Sequence, residues 1–131
     1  MEVGMAGGPV VMLVEDYEDT REMTRHMLEA CGCRVVEAAD GQQAIELSQR
    51  ERLDLVLMDL NMPVLDGFTA ALRIREYEPT RDVPVVAVTA YDSAEARAAA
   101  CAVGCGEYVV KPLVLDELAA LLDRLLPARG H

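Results

Sequence analysis

The chain has 131 residues, 52% of them apolar, and a formal net charge of −11. This length suits one domain with one core, the apolar content argues against disorder, and the negative charge argues against nucleic acid or an anionic membrane as a partner. Because no apolar stretch reaches the ~18 residues of a membrane span and residues 1–8 do not form a secretory signal, we expect a cytoplasmic protein.

The apolar pattern predicts strands alternating with helices. In chain order, the pattern predicts strand 10–14, helix 17–31, strand 33–38, a helix capped by Asp40, strand 55–58, a helix from Asp66-Gly67 to about residue 77, a loop over 79–84, strand 85–88, a helix from a Ser93 cap to about residue 103, strand 107–110 and helix 115–126. On the first helix, Met23, Met27 and Leu28 have helical spacing and are expected to face the core.

Strict alternation of strands and helices implies a parallel sheet with helices on both faces. The second strand carries Arg34 and Glu37 and the fifth is short, so both suit the edges of the sheet. The third strand is the most apolar and should be central. We therefore predict a doubly wound, five-stranded α/β fold of flavodoxin type with strand order 2-1-3-4-5 and a crevice between the first and third strands.

The four cysteines raise the alternative of a zinc site; they are Cys31, Cys33, Cys101 and Cys105. In the predicted fold the two pairs would lie near opposite edges of the sheet, roughly 15–20 Å apart. Zinc–sulfur bonds of about 2.3 Å cannot span that separation. We expect the cysteines to be small apolar side chains in a reducing compartment.

Polar residues end four of the predicted strands. Asp59 follows the third strand, Glu15 and Asp16 follow the first, Thr89 follows the fourth, and Lys111, the only lysine of the chain, follows the fifth. Open α/β sheets place their chemistry at these carboxyl ends. Three close carboxylates need a raised pKa or a cation, and oxygen ligands of this kind suit Mg²⁺. A carboxylate can also accept a phosphoryl group, whose charge Mg²⁺ and the lysine would neutralise.

Each of these features has an ordinary structural explanation when it is taken alone. An acidic pair often caps a helix, a threonine is a common strand residue, and a proline or an Asp-Gly pair marks a turn. Their joint occurrence at strand ends favours a functional site.

Residues 59–67, which read DLNMPVLDG, resemble the phosphoacceptor segment of response-regulator receiver domains. Three pairs match the other signatures of that family in order and spacing: Glu15-Asp16, Thr89-Ala90 and Lys111-Pro112. The resemblance extends from about residue 10 to residue 126. It implies a receiver domain over residues 9–127, a flexible N-terminal segment over 1–8 and a C-terminal tail over 128–131.

The resemblance also implies individual roles. Asp59 would accept the phosphoryl group, and Mg²⁺ would be held by Glu15, Asp16, Asp59 and the backbone carbonyl of Asn61. Glu15 is a departure, since this position is usually Asp in the family. Thr89 would donate a hydrogen bond to the phosphoryl group and Lys111 would pair with it.

Three further residues are implied to control the switch and its lifetime. The ring of Tyr108 would turn inward as Thr89 moves toward the phosphoryl group. Asn61 and Tyr91 would flank the path of the hydrolytic water and tune dephosphorylation. A cis Lys111–Pro112 bond would hold the lysine loop.

We thus expect a phosphoacceptor domain of a two-component phosphorelay, supplied by a histidine kinase or phosphotransfer protein. Phosphorylation would change a downstream-protein surface on the fourth helix, fifth strand and fifth helix. The domain would be a switch with self-catalysed acceptance and slow loss of the phosphoryl group rather than an enzyme. It would act alone or belong to a longer protein, because only five residues follow residue 126.

Three alternatives have weaker support in the sequence. An aspartyl phosphohydrolase usually has a second carboxylate two residues after the nucleophile, and Asn61 stands there. A binding module without phosphorylation would not need the full polar set. A nucleotide or flavin binder would need a glycine-rich loop after the first strand, where Glu15 and Asp16 stand instead.

Overall fold

The computed structural model describes residues 8–60, 67–90 and 92–126. Its five parallel strands form one sheet: β1 Val10–Val14, β2 Arg34–Ala38, β3 Leu55–Asp59, β4 Val85–Thr89 and β5 Glu107–Val110. The strand order is β2-β1-β3-β4-β5, which confirms the predicted doubly wound topology. Residues 1–7 and 127–131 lie outside the described residues. They include most of the expected N-terminal segment 1–8 and all of the expected C-terminal tail 128–131.

Five α-helices connect and follow the strands: α1 Glu18–Ala30, α2 Gly41–Ser48, α3 Gly67–Glu76, α4 Ala94–Ala102 and α5 Leu115–Leu125. Asp40 and Ser93 cap α2 and α4 as predicted, since each side chain accepts a hydrogen bond from a backbone N–H of the first turn. A short 3₁₀ helix, Glu78–Thr80, begins just before the stretch predicted to be loop. Among the described helices, none combines the length and the apolar character that crossing a membrane requires.

The core lies on both faces of the sheet because alternate residues of each strand point to opposite sides. On one face, Met12 and Met58 pack with buried side chains of α2, α3 and α4. On the other face, Leu13 and Leu57 pack with side chains of α1 and α5. Every residue of β3 and β4 is buried, whereas β2 and β5 are partly exposed, as expected for central and edge strands.

The prediction that Met23, Met27 and Leu28 of α1 face the core is only partly correct. Leu28 is fully buried and Met27 is half-buried, but Met23 is 62% exposed. Thr24 is buried instead. At ~100° per residue, Thr24 lies about 40° from Leu28 around the helix, whereas Met23 lies about 140° away. Met23 lies one helical turn from Met27, which is itself only at the margin of the core. The prediction that Met23 faces the core was therefore wrong.

Cys33 and Cys105 have the same structural role: each follows the C-terminal end of a helix, α1 or α4, and takes part in its cap. Each follows a glycine with positive φ, Gly32 (90°) or Gly104 (91°). The N–H of Cys33 and that of Cys105 each donate to the carbonyl five residues earlier, at 3.1 Å in both cases, as in a Schellman C-cap. Both side chains are buried. None of the four described cysteines forms a disulfide, and among the described residues no cluster of three or more metal-binding side chains includes one.

Candidate functional site

The sheet brings the three predicted carboxylates together. β1 and β3 are neighbours with Val14 opposite Met58, so the residues that follow or end these strands are adjacent. One oxygen each from Glu15, Asp16 and Asp59 lies within 4.8 Å of the other two. Glu15 and Asp59 are buried and Asp16 is exposed. The result is a half-buried acidic cluster at the carboxyl end of the central strands.

Lys111 reaches this cluster from the end of β5. Its Nζ donates to Glu15 Oε1 at 2.7 Å and to Asp59 Oδ2 at 3.3 Å. Its backbone N–H donates to the carbonyl of Thr89 at 2.7 Å, which ties the lysine to the end of β4. The Lys111–Pro112 bond is cis, as expected. Two buried carboxylates therefore share one ammonium group.

Burial and charge act in opposite directions on these groups. Burial raises the pKa of Glu15, although the hydrogen bonds from Lys111 and from the Tyr17 N–H partly offset it. For Lys111, burial acts to lower the pKa, but the Glu15 hydrogen bond and the charges of Asp59 and Glu15 outweigh it and raise the pKa. With all four groups ionised, three carboxylates and one ammonium leave two negative charges uncompensated. A divalent cation matches that charge, and hard oxygen ligands match Mg²⁺.

Both side-chain oxygens of Glu15, its backbone N–H and its backbone carbonyl all form hydrogen bonds. Its Oε2 accepts from the Tyr17 N–H at 3.1 Å, and its own N–H donates to the carbonyl of Ala38 at 3.0 Å. Its carbonyl oxygen accepts from Arg21 Nη1 at 2.9 Å. Sequence reasoning missed Arg21, which also pairs with Glu37 of β2 at 3.2 Å. The only sequence signal for Arg21 is its position five to six residues after the acidic pair, in the first turn of the helix that follows.

Gly67 is required for packing, whereas the sequence indicated only that an Asp-Gly pair marks a turn. A Cβ added here would lie 2.3 Å from the Asp59 carbonyl oxygen and 2.5 Å from the Cα of Leu60. Both contacts are far shorter than backbone atoms allow. The first residue of α3 must therefore lack a side chain for the helix to begin against the end of β3.

Two further predicted site residues, Thr89 and Tyr108, lie on β4 and β5. Thr89 is buried at the end of β4, beside β3, which ends at Asp59. Tyr108 is half-buried on β5, opposite Ala87, with the guanidinium carbon of Arg97 4.5 Å from its ring centroid. Asn61, Tyr91 and the rest of the segment 61–66 lie outside the described residues.

A cavity of about 390 Å³ opens beside the acidic cluster. Glu15 and Lys111 form part of its wall, and most of the rest is apolar, from α1 and from the segment after β5. The exposed side chain of Met23 also lines the cavity. The cavity therefore reaches two charged groups of the site, Glu15 and Lys111.

Comparison with known proteins supplies independent information. The family model for the response regulator receiver domain matches residues 11–123. The chain is 36% identical over 130 residues to the transcriptional regulatory protein PrrA of Mycobacterium tuberculosis, a match covering 99% of this chain and 54% of PrrA. The chain thus spans about half the length of the curated regulators that it matches first.

Solved structures agree in fold. The receiver domain of the sensor histidine kinase PA1611 from Pseudomonas aeruginosa has a TM-score of 0.87 and 37% identity, covering 92% of this chain and 99% of that one, and it holds a magnesium ion in its active site cleft. The receiver domain of Ssk1 from Saccharomyces cerevisiae, crystallised with the histidine phosphotransfer protein Ypd1, has a TM-score of 0.83 and 29% identity, covering 90% and 88%.

Proposed function

The chain belongs to the response regulator receiver domain family, and from this premise we propose that Asp59 accepts a phosphoryl group from a histidine kinase or a phosphotransfer protein. One observation carries the proposal: Lys111 is bound to two of three converging carboxylates at the carboxyl end of the sheet. The yeast complex of Ypd1 with a related receiver domain supports a phosphotransfer protein as donor.

The residues present fit a magnesium ion. Glu15, Asp16 and Asp59 would hold it, with the backbone carbonyl of Asn61 as a further ligand. Bound Mg²⁺ supplies charge neutralisation at the phosphoryl oxygens. The magnesium ion in the related PA1611 receiver domain supports this assignment.

The transfer itself requires little chemistry from the protein beyond positioning and charge. A carboxylate oxygen of Asp59 attacks the phosphorus, the bond from phosphorus to the donor nitrogen breaks, and the donor retains that electron pair. The product is an acyl phosphate on Asp59. Lys111 then pairs with a phosphoryl oxygen, and the hydroxyl of Thr89 donates to another.

The product acts as a signal through the protein surface. Thr89 and Tyr108 are proposed to couple the phosphoryl group to the face formed by α4, β5 and α5, where a downstream protein binds. Asn61 and Tyr91 are proposed to set how slowly the phosphoryl group is lost. The domain is thus proposed to be a switch that turns over slowly rather than a metabolic enzyme, and a nucleic acid is not expected to contact this chain.

Intact mass after incubation with acetyl phosphate and Mg²⁺ tests the proposal. The wild type should gain one phosphoryl adduct and Asp59→Asn should gain none, because the amide lacks the nucleophilic oxygen at nearly equal volume. Asp82→Asn, at an exposed carboxylate, is the matched control and should behave as the wild type. A full adduct on Asp59→Asn contradicts the acceptor assignment, and sustained hydrolysis of phosphate monoesters would identify a phosphohydrolase instead.

A further inference from the structure

We propose that Arg97 is a latch on the Tyr108 ring, which holds the ring in its present position and opposes the phosphorylated state. The guanidinium carbon of Arg97 lies 4.5 Å from the ring centroid, within the range of a cation–π contact. This inference rests on the proposed phosphorylation of Asp59. It adds a role for Arg97, a side chain of α4 that the proposed function does not use.

The guanidinium also pairs with Asp92 through one of its edges. Arg97 Nε and Nη2 lie 3.0 Å and 2.9 Å from the same carboxylate oxygen, Asp92 Oδ1. A planar guanidinium that is gripped through two nitrogens loses much of its freedom to swing away from the ring. Asp92, Arg97 and Tyr108 therefore form one continuous contact from the β4–α4 connection to β5.

The position of Arg97 in its helix supports a specific role. Its backbone N–H donates to the carbonyl of Ser93, the N-cap residue, so Arg97 lies at the end of the first turn of α4. A cation is unfavourable near a helix N-terminus, where the helix dipole is positive. The first turns of α1 and α5 carry acidic residues, and that of α4 carries one too, Glu95. The contacts with Asp92 and Tyr108 act against this cost for Arg97.

Both ends of the latch are close in sequence to residues that would contact the phosphoryl group. Asp92 is three residues after Thr89, and Tyr108 is three residues before Lys111. Movement of Thr89 and Lys111 toward a phosphoryl group shifts both attachment points relative to Arg97 and breaks the stack. The contact then exists only in the unphosphorylated state. By linkage, its loss favours the phosphorylated state by roughly two- to fivefold, the size of one exposed cation–π contact.

A beryllofluoride titration in Mg²⁺, followed by amide NMR shifts, measures this equilibrium without phosphoryl turnover. We expect the midpoint for Arg97→Ala to be roughly two- to fivefold lower than for the wild type. Amides around Tyr108 in the unligated variant should move toward their ligated positions. Loss of a positive charge would by itself weaken anion binding, so a lower midpoint cannot be a simple charge effect.

Arg124→Ala is the matched control, because Arg124 is an equally exposed arginine that pairs with Glu107 of β5 at 2.8 Å. It should leave the midpoint unchanged or raise it. Asp92→Asn loosens the grip on Arg97 and should lower the midpoint by less than Arg97→Ala. If the wild type binds but Arg97→Ala has no lower midpoint, the latch alone is overturned, whatever the result for Asp92→Asn, because loss of the Asp92 charge by itself favours anion binding. A wild type that binds no beryllofluoride overturns the proposed function, and the latch with it.

Discussion

Lys111 and Glu15, 96 positions apart in the sequence, are joined by a hydrogen bond of 2.7 Å between Nζ and Oε1. The contact from the same nitrogen to Asp59 is longer, at 3.3 Å. Glu15 is thus the closer partner of the lysine in this state. In the proposed function, a phosphoryl group on Asp59 would have to compete with Glu15 for the ammonium, and the balance between the two carboxylates would be part of the proposed switch.

Replacement of Lys111 by methionine should make the stability of the domain depend on Mg²⁺. Two buried carboxylates would lose their counter-charge, which we expect to cost roughly 1–3 kcal/mol in the absence of the ion. Mg²⁺ should then stabilise Lys111→Met more than the wild type, because it replaces the missing positive charge. Urea unfolding with and without Mg²⁺ measures this, with Arg124→Ala as a surface ion-pair control. Equal Mg²⁺ effects on Lys111→Met and the wild type would refute the expectation.

Asp16→Ala should weaken Mg²⁺ binding more than Glu15→Ala. Both carboxylate oxygens of Glu15 already accept hydrogen bonds, from Lys111 and from the Tyr17 N–H, whereas Asp16 is exposed. We expect wild-type binding in the millimolar range or somewhat tighter, since few protein ligands face a strongly hydrated ion. Calorimetric titration compares the variants, and Asp19→Asn serves as an exposed acidic control. The same affinity for Asp16→Ala and wild type would argue against the site.

Gly67→Ala should destabilise the domain by roughly 1–3 kcal/mol, the usual range for overpacking. The added methyl would collide with the Asp59 carbonyl and with Leu60, and backbone atoms cannot move aside as a flexible side chain can. Phosphorylation of Asp59 should slow as well, because the end of β3 has to shift. Gly106→Ala is the matched control, with nothing within 4 Å of the added atom. Urea unfolding that gives equal losses for both variants would contradict this packing argument.

The topology was predictable because buried parallel strands leave a continuous apolar run in the sequence. β3 and β4 are buried along their whole length, and their runs predicted both their existence and their central place. The acidic cluster was predictable for a related reason: carboxyl ends of parallel strands meet at one edge, so Glu15 and Asp59 had to converge.

Contacts that depend on how the helices pack against the sheet were not predictable. The stack of Arg97 on Tyr108 and the hold of Arg21 on Glu15 depend on how far helices lie from strands, which periodicity does not encode. The burial of Thr24 in place of Met23 has the same origin, because the width of the buried stripe on α1 is set by its neighbours.

The thiol of Cys105 should make stability fall at high pH. Burial raises its pKa to about 11, above the ~8.5 of an unfolded chain. The folded state therefore binds this proton more tightly, and the stabilisation is complete below about pH 8.5 and is lost as the pH rises toward 11. Its full size is roughly 3 kcal/mol. Urea unfolding at pH values across this window should show a flatter decline for Cys105→Ala than for the wild type or for Cys101→Ala, at an exposed thiol. Identical declines in all three proteins would exclude the contribution.

Tyr91→Ala should speed loss of the phosphoryl group by roughly tenfold, equivalent to ~1.4 kcal/mol of barrier. Hydrolysis needs a water placed in line behind the phosphorus, and a bulky side chain on that path should exclude it. Asn61 can orient a water but lacks the charge to act as a base. Decay of the phosphorylated protein in Mg²⁺ after removal of the donor gives the rate. Unchanged or slower decay in Tyr91→Ala would show that this side chain does not shield the site.

Because Lys111 is the only lysine, the chain has a single side-chain amine, and that amine lies in the acidic cluster. Reagents that acylate lysine can therefore modify the side chains of this protein at one position only. The rate of that acylation reports directly on how firmly the ammonium is held by Glu15 and Asp59. For the same reason, immobilising the protein through its lysine side chain would attach it at the acidic cluster. The exposed thiol of Cys101 offers an attachment point elsewhere.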